Sequence, residues 1–259
     1  THSALHAEQT PQASGVKELS SLLEWSVVYQ RRDGIYQTAT NLPKPRLLVS
    51  AGRYPRWSPD GQSVAFIKEN SIALFKLEEM RETSLAHARS PKAVAFHPSG
   101  KEVIFIDGKK INAVAIADQS VRTLAEGWDF RELDCAASGL QLVVTVKRLG
   151  YAIRGFDLAR RRDWKVASGC SASLSPGGAL VTNNSSDHKQ LFLRDYITGE
   201  IRKTITAPAG RRLDNQFWSN AEDWIAGRSE ESDEGGSIFV YQVSTSRVFQ
   251  ITGDNDADR

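Results

Sequence analysis

Apolar and polar residues alternate along most of this chain, and a short turn interrupts the alternation at regular intervals. The clearest turn lies in Arg56-Trp57-Ser58-Pro59-Asp60-Gly61, and the apolar run SVAFIK follows it. Proline restricts φ, aspartate bonds its own backbone and glycine tolerates φ > 0, so the Pro-Asp-Gly step favours a tight turn. The pattern predicts a β-hairpin closed by this turn.

The turn recurs at a constant interval. The glycines of four successive copies lie 39 residues apart: Gly61, Gly100, Gly139 and Gly178. A weaker copy, residues 218–222, ends 44 residues after the fourth glycine. We call the four glycines, and Glu222 in the weaker copy, the anchors of the repeat, and the turns that contain them the anchor turns. Large or apolar residues stand four positions before each anchor: Trp57, Phe96, Cys135, Leu174 and Trp218. Further apolar positions follow at steps of two and are rich in β-branched and aromatic residues, which favours strands over helices.

Each repeat also contains two further short apolar runs, so it offers four antiparallel strands in about 40 residues, the size of a propeller blade. The first unit is assembled from residues 16–20, 25–30, 34–38 and 45–49, although residues 16–24 could instead form a short helix before the ring. The sequence predicts an all-β fold, a six-bladed β-propeller of four-stranded antiparallel blades, over residues 16–259. Residues 1–15 are expected to be a flexible N-terminal tail, or an added strand that closes the ring.

The repeat resembles the TolB-type, WD-like β-propeller repeat, in which an inner strand ends in W-S-P-D-G and an apolar strand follows. Residues 56–66 and 96–105 match this signature, residues 174–178 keep part of it, and residues 250–256 look like the linker after a last strand. The resemblance implies the propeller fold. The family's namesake is a periplasmic adaptor with an additional α/β domain before its propeller, where this chain has a short polar stretch, so its partners are not carried over.

Charge and hydropathy narrow the classes of partner. Lys and Arg number 33 against 31 Asp and Glu, a formal charge of +2, which predicts no strong field for nucleic acid or anionic membrane. No apolar run approaches the roughly 20 residues of a membrane-spanning helix, so direct membrane insertion is not expected. The small, polar start THSALHAEQTPQASG fits a mature product after signal-peptide removal, or a trimmed chain. We therefore expect a periplasmic or extracytoplasmic location.

The sequence offers little catalytic or metal chemistry. It has no G-x-S-x-G elbow, phosphate loop or paired-carboxylate motif, and its five histidines are scattered apart from His2 and His6 in the tail. Residues 254–258 alternate like a calcium loop but lack its glycine and final glutamate. We predict no catalytic residue, no metal and no cofactor. Cys135 and Cys170 stand at different offsets from their anchors, roughly 13 Å apart along neighbouring strands, so two free thiols are expected.

The loops on the face opposite the anchor turns differ in length and content, and such variable loops are the usual binding surface of repeat proteins. Residue types enriched at interface hot spots stand on that face: Trp128, Arg148, Tyr151, His188, Arg211 and Arg212. These six are the candidate partner-binding residues, and the alternative for each is a solvated loop residue. The acidic loop 229–236 is expected to be a mobile hairpin tip, and the basic run 160–162 a soluble edge.

Three functions fit these observations. The preferred one is a non-enzymatic protein–protein interaction module, or scaffold subunit of a bacterial envelope complex, that binds a protein or peptide through the variable-loop face. The alternative is a propeller lyase or hydrolase that acts at the central channel mouth through residues such as Arg56, His97 and Asp134. A purely structural subunit of a larger assembly is the third.

Overall fold

The computed structural model describes residues 15–208, 210–232 and 235–253, whose strands form six antiparallel sheets arranged as the blades of a propeller. Blade 1 comprises β1 (Ser26–Arg31), β2 (Gly34–Ala39) and β3 (Arg46–Ser50). Blade 2 comprises β4 (Gly52–Trp57), β5 (Ser63–Lys68), β6 (Ser71–Lys76) and β7 (Arg81–His87). Blade 3 comprises β8 (Pro91–Phe96), β9 (Glu102–Asp107), β10 (Lys110–Ala115) and β11 (Val121–Glu126).

The remaining blades follow the same order from the channel outwards. Blade 4 comprises β12 (Asp129–Cys135), β13 (Gln141–Lys147), β14 (Tyr151–Asp157) and β15 (Arg162–Ser168). Blade 5 comprises β16 (Ser173–Leu174), β17 (Leu180–Asn184), β18 (Gln190–Asp195) and β19 (Ile201–Thr206). Blade 6 comprises β20 (Arg212–Trp218), β21 (Trp224–Ser232), β22 (Gly235–Gln242) and β23 (Val248–Gln250). The predicted six-bladed propeller is confirmed.

A short helix, α1 (Val16–Leu22), precedes blade 1. The predicted strand at residues 16–20 is therefore wrong, and the alternative of a short helix is confirmed. Apolar residues recur here at steps of three and four, as a helix requires. Leu19 is fully buried and packs with Tyr29 and Phe249 where blade 6 meets blade 1. Blade 1 thus has three described strands where the other five blades have four.

The anchor turns have the geometry that their sequence predicts. In blade 2 the Gly61 amide donates to the Ser58 carbonyl oxygen at 3.0 Å, and the Gln62 amide donates to Asp60 Oδ1 at 3.0 Å. Gly61 has a φ of 69°, and the glycines of the next three anchors lie between 68° and 75°. Only glycine adopts this conformation without strain, so the constant interval has a structural origin.

Apolar side chains fill the spaces between neighbouring blades. Six clusters of buried residues account for the six seams of the ring. Phe105 is fully buried, as the repeat predicts, whereas Trp57 is only half-buried because it lines the central cavity. Within the described ranges, no helix is long and apolar enough to cross a membrane. The anticipated tail lies outside the described residues, apart from Gly15.

Candidate functional site

Two neighbouring surfaces carry the polar chemistry of the ring. The first, the loop face, consists of the loops opposite the anchor turns. The second is the wall of the central cavity, about 1190 Å³ in volume, to which the inner strands and β1 contribute. Tyr151 and His188 belong to both, because they line the cavity where it opens towards the loop face.

The loop between β13 and β14 is exposed on the loop face, as are the residues 147–151 that form and flank it. Its backbone is held by a hydrogen bond from the Arg148 amide to the Gly150 carbonyl oxygen at 3.0 Å. Leu149, between them, is fully exposed, and Tyr151 is 46% exposed. The ammonium group of Lys147 lies 5.5 Å from the centre of the Tyr151 ring. Of these residues, tyrosine and arginine are types enriched at interface hot spots.

Three of the six predicted residues are less available. Trp128 is half-buried against the seam of blades 3 and 4, and the Arg154 guanidinium carbon lies 4.4 Å from its ring centre. Arg211 is half-buried and lies 5.2 Å from the ring of the buried Phe239. Arg212 begins β20 and is half-buried. Tyr151 and His188 both line the cavity, Arg148 is exposed, and the other three residues are half-buried.

His188 is held in a defined orientation. Its Nδ1 lies 3.0 Å from the Leu213 carbonyl oxygen, and because a carbonyl can only accept, Nδ1 carries the proton. Nε2 faces the Cys170 thiol, at 3.9 Å from its Sγ. Burial raises the pKa of this thiol to about 11, and the Glu132 carboxylate adds to the rise. Cys170 is thus a neutral thiol, and the pairing favours a structural role over nucleophilic chemistry.

The cysteines do not form a disulfide. Both are free and half-buried, which confirms the prediction of two unpaired thiols. Burial raises the pKa of Cys135 to about 12.

Carboxylates on β12 bind the backbone of blade 5. Glu132 Oε2 accepts from the amides of Ser171 and Ala172, at 2.7 and 3.2 Å, and from the Thr145 hydroxyl. Asp134 Oδ2 accepts from the Leu174 amide at 3.1 Å. These bonds satisfy amides around β16, which is only two residues long. The acids join two blades.

A half-buried arginine, Arg56, lines the cavity together with these acids. The Arg56 guanidinium carbon lies 3.3 Å from the centre of the Phe217 ring. Burial lowers the pKa of Arg56 to about 10, and the charges of Asp134 and Glu132 oppose that change. Burial raises the pKa of Asp134, while Arg56 holds it down. Arg56, Glu132 and Asp134 therefore line the same cavity and interact electrostatically.

His97 does not join them. It stays in its anchor turn, where Nδ1 lies 2.8 Å from Ser99 Oγ, and its ring packs against Gly139 of the next anchor turn. His97 is not among the residues that line the cavity, and its proposed role at the channel mouth stays a prediction. In the part of the chain that the structure describes, no three His, Cys, Asp or Glu side chains form a group that could hold a metal.

Comparison with known proteins confirms the TolB-type propeller fold. No protein-family model matches the chain, and no curated protein is similar to it in sequence. The crystal structure of TolB from Acinetobacter baumannii is similar with a TM-score of 0.72 at 16% identity, covering 89% of this chain and 64% of that one. The chain therefore spans less than two thirds of that protein's length.

Two further solved structures share the fold. A chain of a nidogen/laminin complex aligns with a TM-score of 0.72 at 12% identity, covering 89% of this chain and 94% of that one. An oligogalacturonate lyase in complex with manganese aligns with a TM-score of 0.59 at 15% identity, covering 88% and 72%. The same ring thus occurs in a protein complex and in a metal-bound lyase.

Proposed function

We propose that this chain is a non-enzymatic protein-binding propeller whose loop face docks a protein or peptide partner around the β13–β14 loop. The observation that carries the proposal is the exposed Leu149 and Tyr151, flanked by Lys147 and Arg148. Large apolar side chains placed among arginines and lysines bury well against a partner that supplies apolar surface and acidic groups.

The partner belongs to an envelope complex of the bacterial periplasm in this proposal. The similarity of the fold to the TolB structure supports that location. Fractionation of cells that express the full-length gene product tests it. Recovery with periplasmic markers is expected, and recovery only with cytoplasmic markers would contradict the location without affecting the docking face.

Co-purification from the native envelope fraction, followed by mass spectrometry, tests the docking face. Leu149→Asp combined with Arg148→Glu is expected to lower recovery of the partner at least about tenfold, as loss of a hot-spot residue does. Ile197→Asp is the matched control, since Ile197 is exposed in the turn between β18 and β19 on the anchor side. Equal recovery with both variants would overturn the proposed face.

The alternative remains a lyase or hydrolase at the cavity. The electrostatic interaction of Arg56 with Glu132 and Asp134, which line the same cavity, favours it, together with the fold shared with a manganese-bound lyase. Metal analysis of the purified protein separates the two functions. A stoichiometric divalent ion, with turnover of an acidic polysaccharide, would favour the enzyme and count against a purely binding role.

A further inference from the structure

Two loops of blade 5 place a thiol and an imidazole side by side at the cavity wall. Cys170 lies in the loop between β15 and β16, and His188 lies in the loop between β17 and β18. The Sγ of Cys170 is 3.9 Å from the Nε2 of His188. Both residues are half-buried and line the central cavity. Sulfur and imidazole nitrogen are the ligand atoms that soft and borderline transition metals prefer.

Backbone hydrogen bonds fix both loops. The Asn184 amide donates to the Cys170 carbonyl oxygen at 3.3 Å, and the Leu213 amide donates to the His188 carbonyl oxygen at 2.7 Å. In return, His188 Nδ1 donates to the Leu213 carbonyl oxygen at 3.0 Å. A backbone carbonyl on one ring nitrogen is the usual partner of a metal-bound histidine, and it leaves the other nitrogen to bind the ion. The thiol and the imidazole are therefore positioned before any ion binds.

The distance between the two ligand atoms suits an ion with few ligands. Bonds from Zn²⁺, a d¹⁰ ion, to sulfur and to imidazole nitrogen are about 2.3 and 2.0 Å long. Two such ligand atoms on one ion lie about 3.6 Å apart at a tetrahedral angle and about 4.3 Å apart at a linear one. The observed distance of 3.9 Å lies between these limits. It corresponds to an open, bent arrangement.

The number of available ligands selects the ion. Within the described residues, no three His, Cys, Asp or Glu side chains form a metal-binding group, so the four-ligand arrangement of a structural Zn²⁺ site is not present there. Monovalent copper is also a d¹⁰ ion, it accepts two ligands, and thiolate and imidazole both suit it. Hard ions such as Mg²⁺ and Mn²⁺ prefer carboxylate, carbonyl and water oxygens. The pair thus fits Cu⁺.

The charges close to the thiol are favourable for a cation. Burial raises the pKa of Cys170 to about 11, and the carboxylates of Glu132 and Asp214 add to the rise. The same negative charges stabilise a positive ion at the sulfur. The cavity wall also carries the cations Arg53, Arg56, Lys92, Arg131 and Arg228. It is the two carboxylates, and not these cations, that shift the pKa of Cys170.

We propose that Cys170 and His188 form a binding site for one monovalent copper ion, held between Sγ and Nε2. The thiol releases its proton to solvent when the copper–sulfur bond forms, so the thiolate neutralises the charge of the ion. This site is independent of the docking of a partner at the β13–β14 loop.

Anaerobic titration of the full chain with Cu⁺, in competition with the chelator bicinchoninate, tests the site. The wild type is expected to bind one ion, and Cys170→Ser and His188→Ala are each expected to lower the affinity at least about 100-fold, since a ligand atom is lost. Cys135→Ser is the matched control, because Cys135 is a second free, half-buried thiol on the same cavity wall. It is expected to stay within about threefold, as is the double variant His2→Ala with His6→Ala.

Two measurements on the wild-type chain keep the test decisive if a variant does not fold. Bound Cu⁺ is expected to protect Cys170 from iodoacetamide, with the labelled cysteine identified by mass spectrometry. The affinity for Cu⁺ is expected to rise about tenfold per pH unit while the free thiol is protonated, below its pKa of about 11. X-ray absorption at the copper edge is expected to show one sulfur and one nitrogen ligand.

Four results would overturn the proposal. They are equal affinity of Cys170→Ser and wild type, alkylation of Cys170 that copper does not slow, coordination by two sulfur atoms, and loss of the ion in the variant of His2 and His6, which would assign it to those histidines. Cu⁺ is not the divalent ion that would favour the enzyme, so Mn²⁺ is expected not to displace it. None of these results affects the docking face around Leu149.

Discussion

The hydrogen bonds through which Glu132 joins blades 4 and 5 predict how its substitution changes the stability of the protein. Glu132→Ala leaves three donors without their acceptor: the amides of Ser171 and Ala172 and the hydroxyl of Thr145. All three residues are fully buried. Each unpaired buried donor costs about 1–3 kcal/mol, and water from the cavity reaches part of the site, so the free energy of unfolding is expected to fall by about 2–5 kcal/mol. For a domain of this size that corresponds to about 5–15 °C in Tm.

Glu132→Gln separates the hydrogen bonds from the charge. The amide oxygen still accepts from the same donors, but the buried charge is gone. Burial raises the pKa of Glu132, the nearby Asp214 carboxylate raises it further, and the hydrogen bonds hold it down. Because the folded pKa is raised, the folded state keeps a proton that the unfolded chain loses, so the stability from this group is present below its ordinary pKa and is lost as pH rises through the folded pKa. Glu132→Gln is therefore expected to match or exceed the wild type at neutral pH.

Thermal and urea unfolding, followed by circular dichroism across acidic to neutral pH, measure both effects. The difference in stability between Glu132→Gln and wild type is expected to grow as pH rises above the ordinary glutamate pKa. Glu126→Gln, on the exposed end of β11, is the matched control and is expected to have little effect. If Glu132→Ala were as stable as Glu132→Gln at every pH, the carboxylate would not be what joins the blades.

Two further predictions concern the anchor turns and the thiols. Gly61→Ala is expected to cost about 1 kcal/mol from its positive φ alone, since nothing lies within 4 Å of the new Cβ. Gly139→Ala is expected to cost at least about 1 kcal/mol more, because its Cβ would lie 2.3 Å from His97 Nε2, and His97→Ala should remove that excess in a urea-unfolding cycle. Iodoacetamide is expected to alkylate Cys170 without prior reduction, slowly at neutral pH and roughly tenfold faster per pH unit below its raised pKa; labelling that required reduction would contradict the free thiol.

The repeat makes most of the ring predictable. A spacing of 39 residues identifies the positions that need positive φ, and alternation identifies the residues that face the seams. Blade 1 departs from this pattern because the anchor turn is absent near residue 22. The spacing of the other turns does not show whether a strand forms at that point of the chain. Apolar residues three and four positions apart in residues 16–23 are the sequence signal for a helix there.

The candidate site is less predictable than the fold. Residue type and loop length place Arg148 and Tyr151 on the loop face, but they do not show that Leu149 projects fully between them. The contact of Cys170 with His188 depends on the path of two loops in blade 5, which the repeat does not specify. Trp128 looks exposed in sequence because it lies in a linker, yet a large aromatic ring next to a seam gains more by packing there.

The seam between blades 6 and 1 has a consequence for how the ring assembles. Every blade is built from consecutive strands, so its internal contacts are local and can form early. The last seam instead joins distant parts of the chain, through Leu19 packed with Phe249 and the ion pair of Glu18 with Arg247. Closing so long a loop has the largest entropic cost. The described ring is thus expected to close last and open first at α1, and amide hydrogens there should exchange sooner than those of blades 2 and 3.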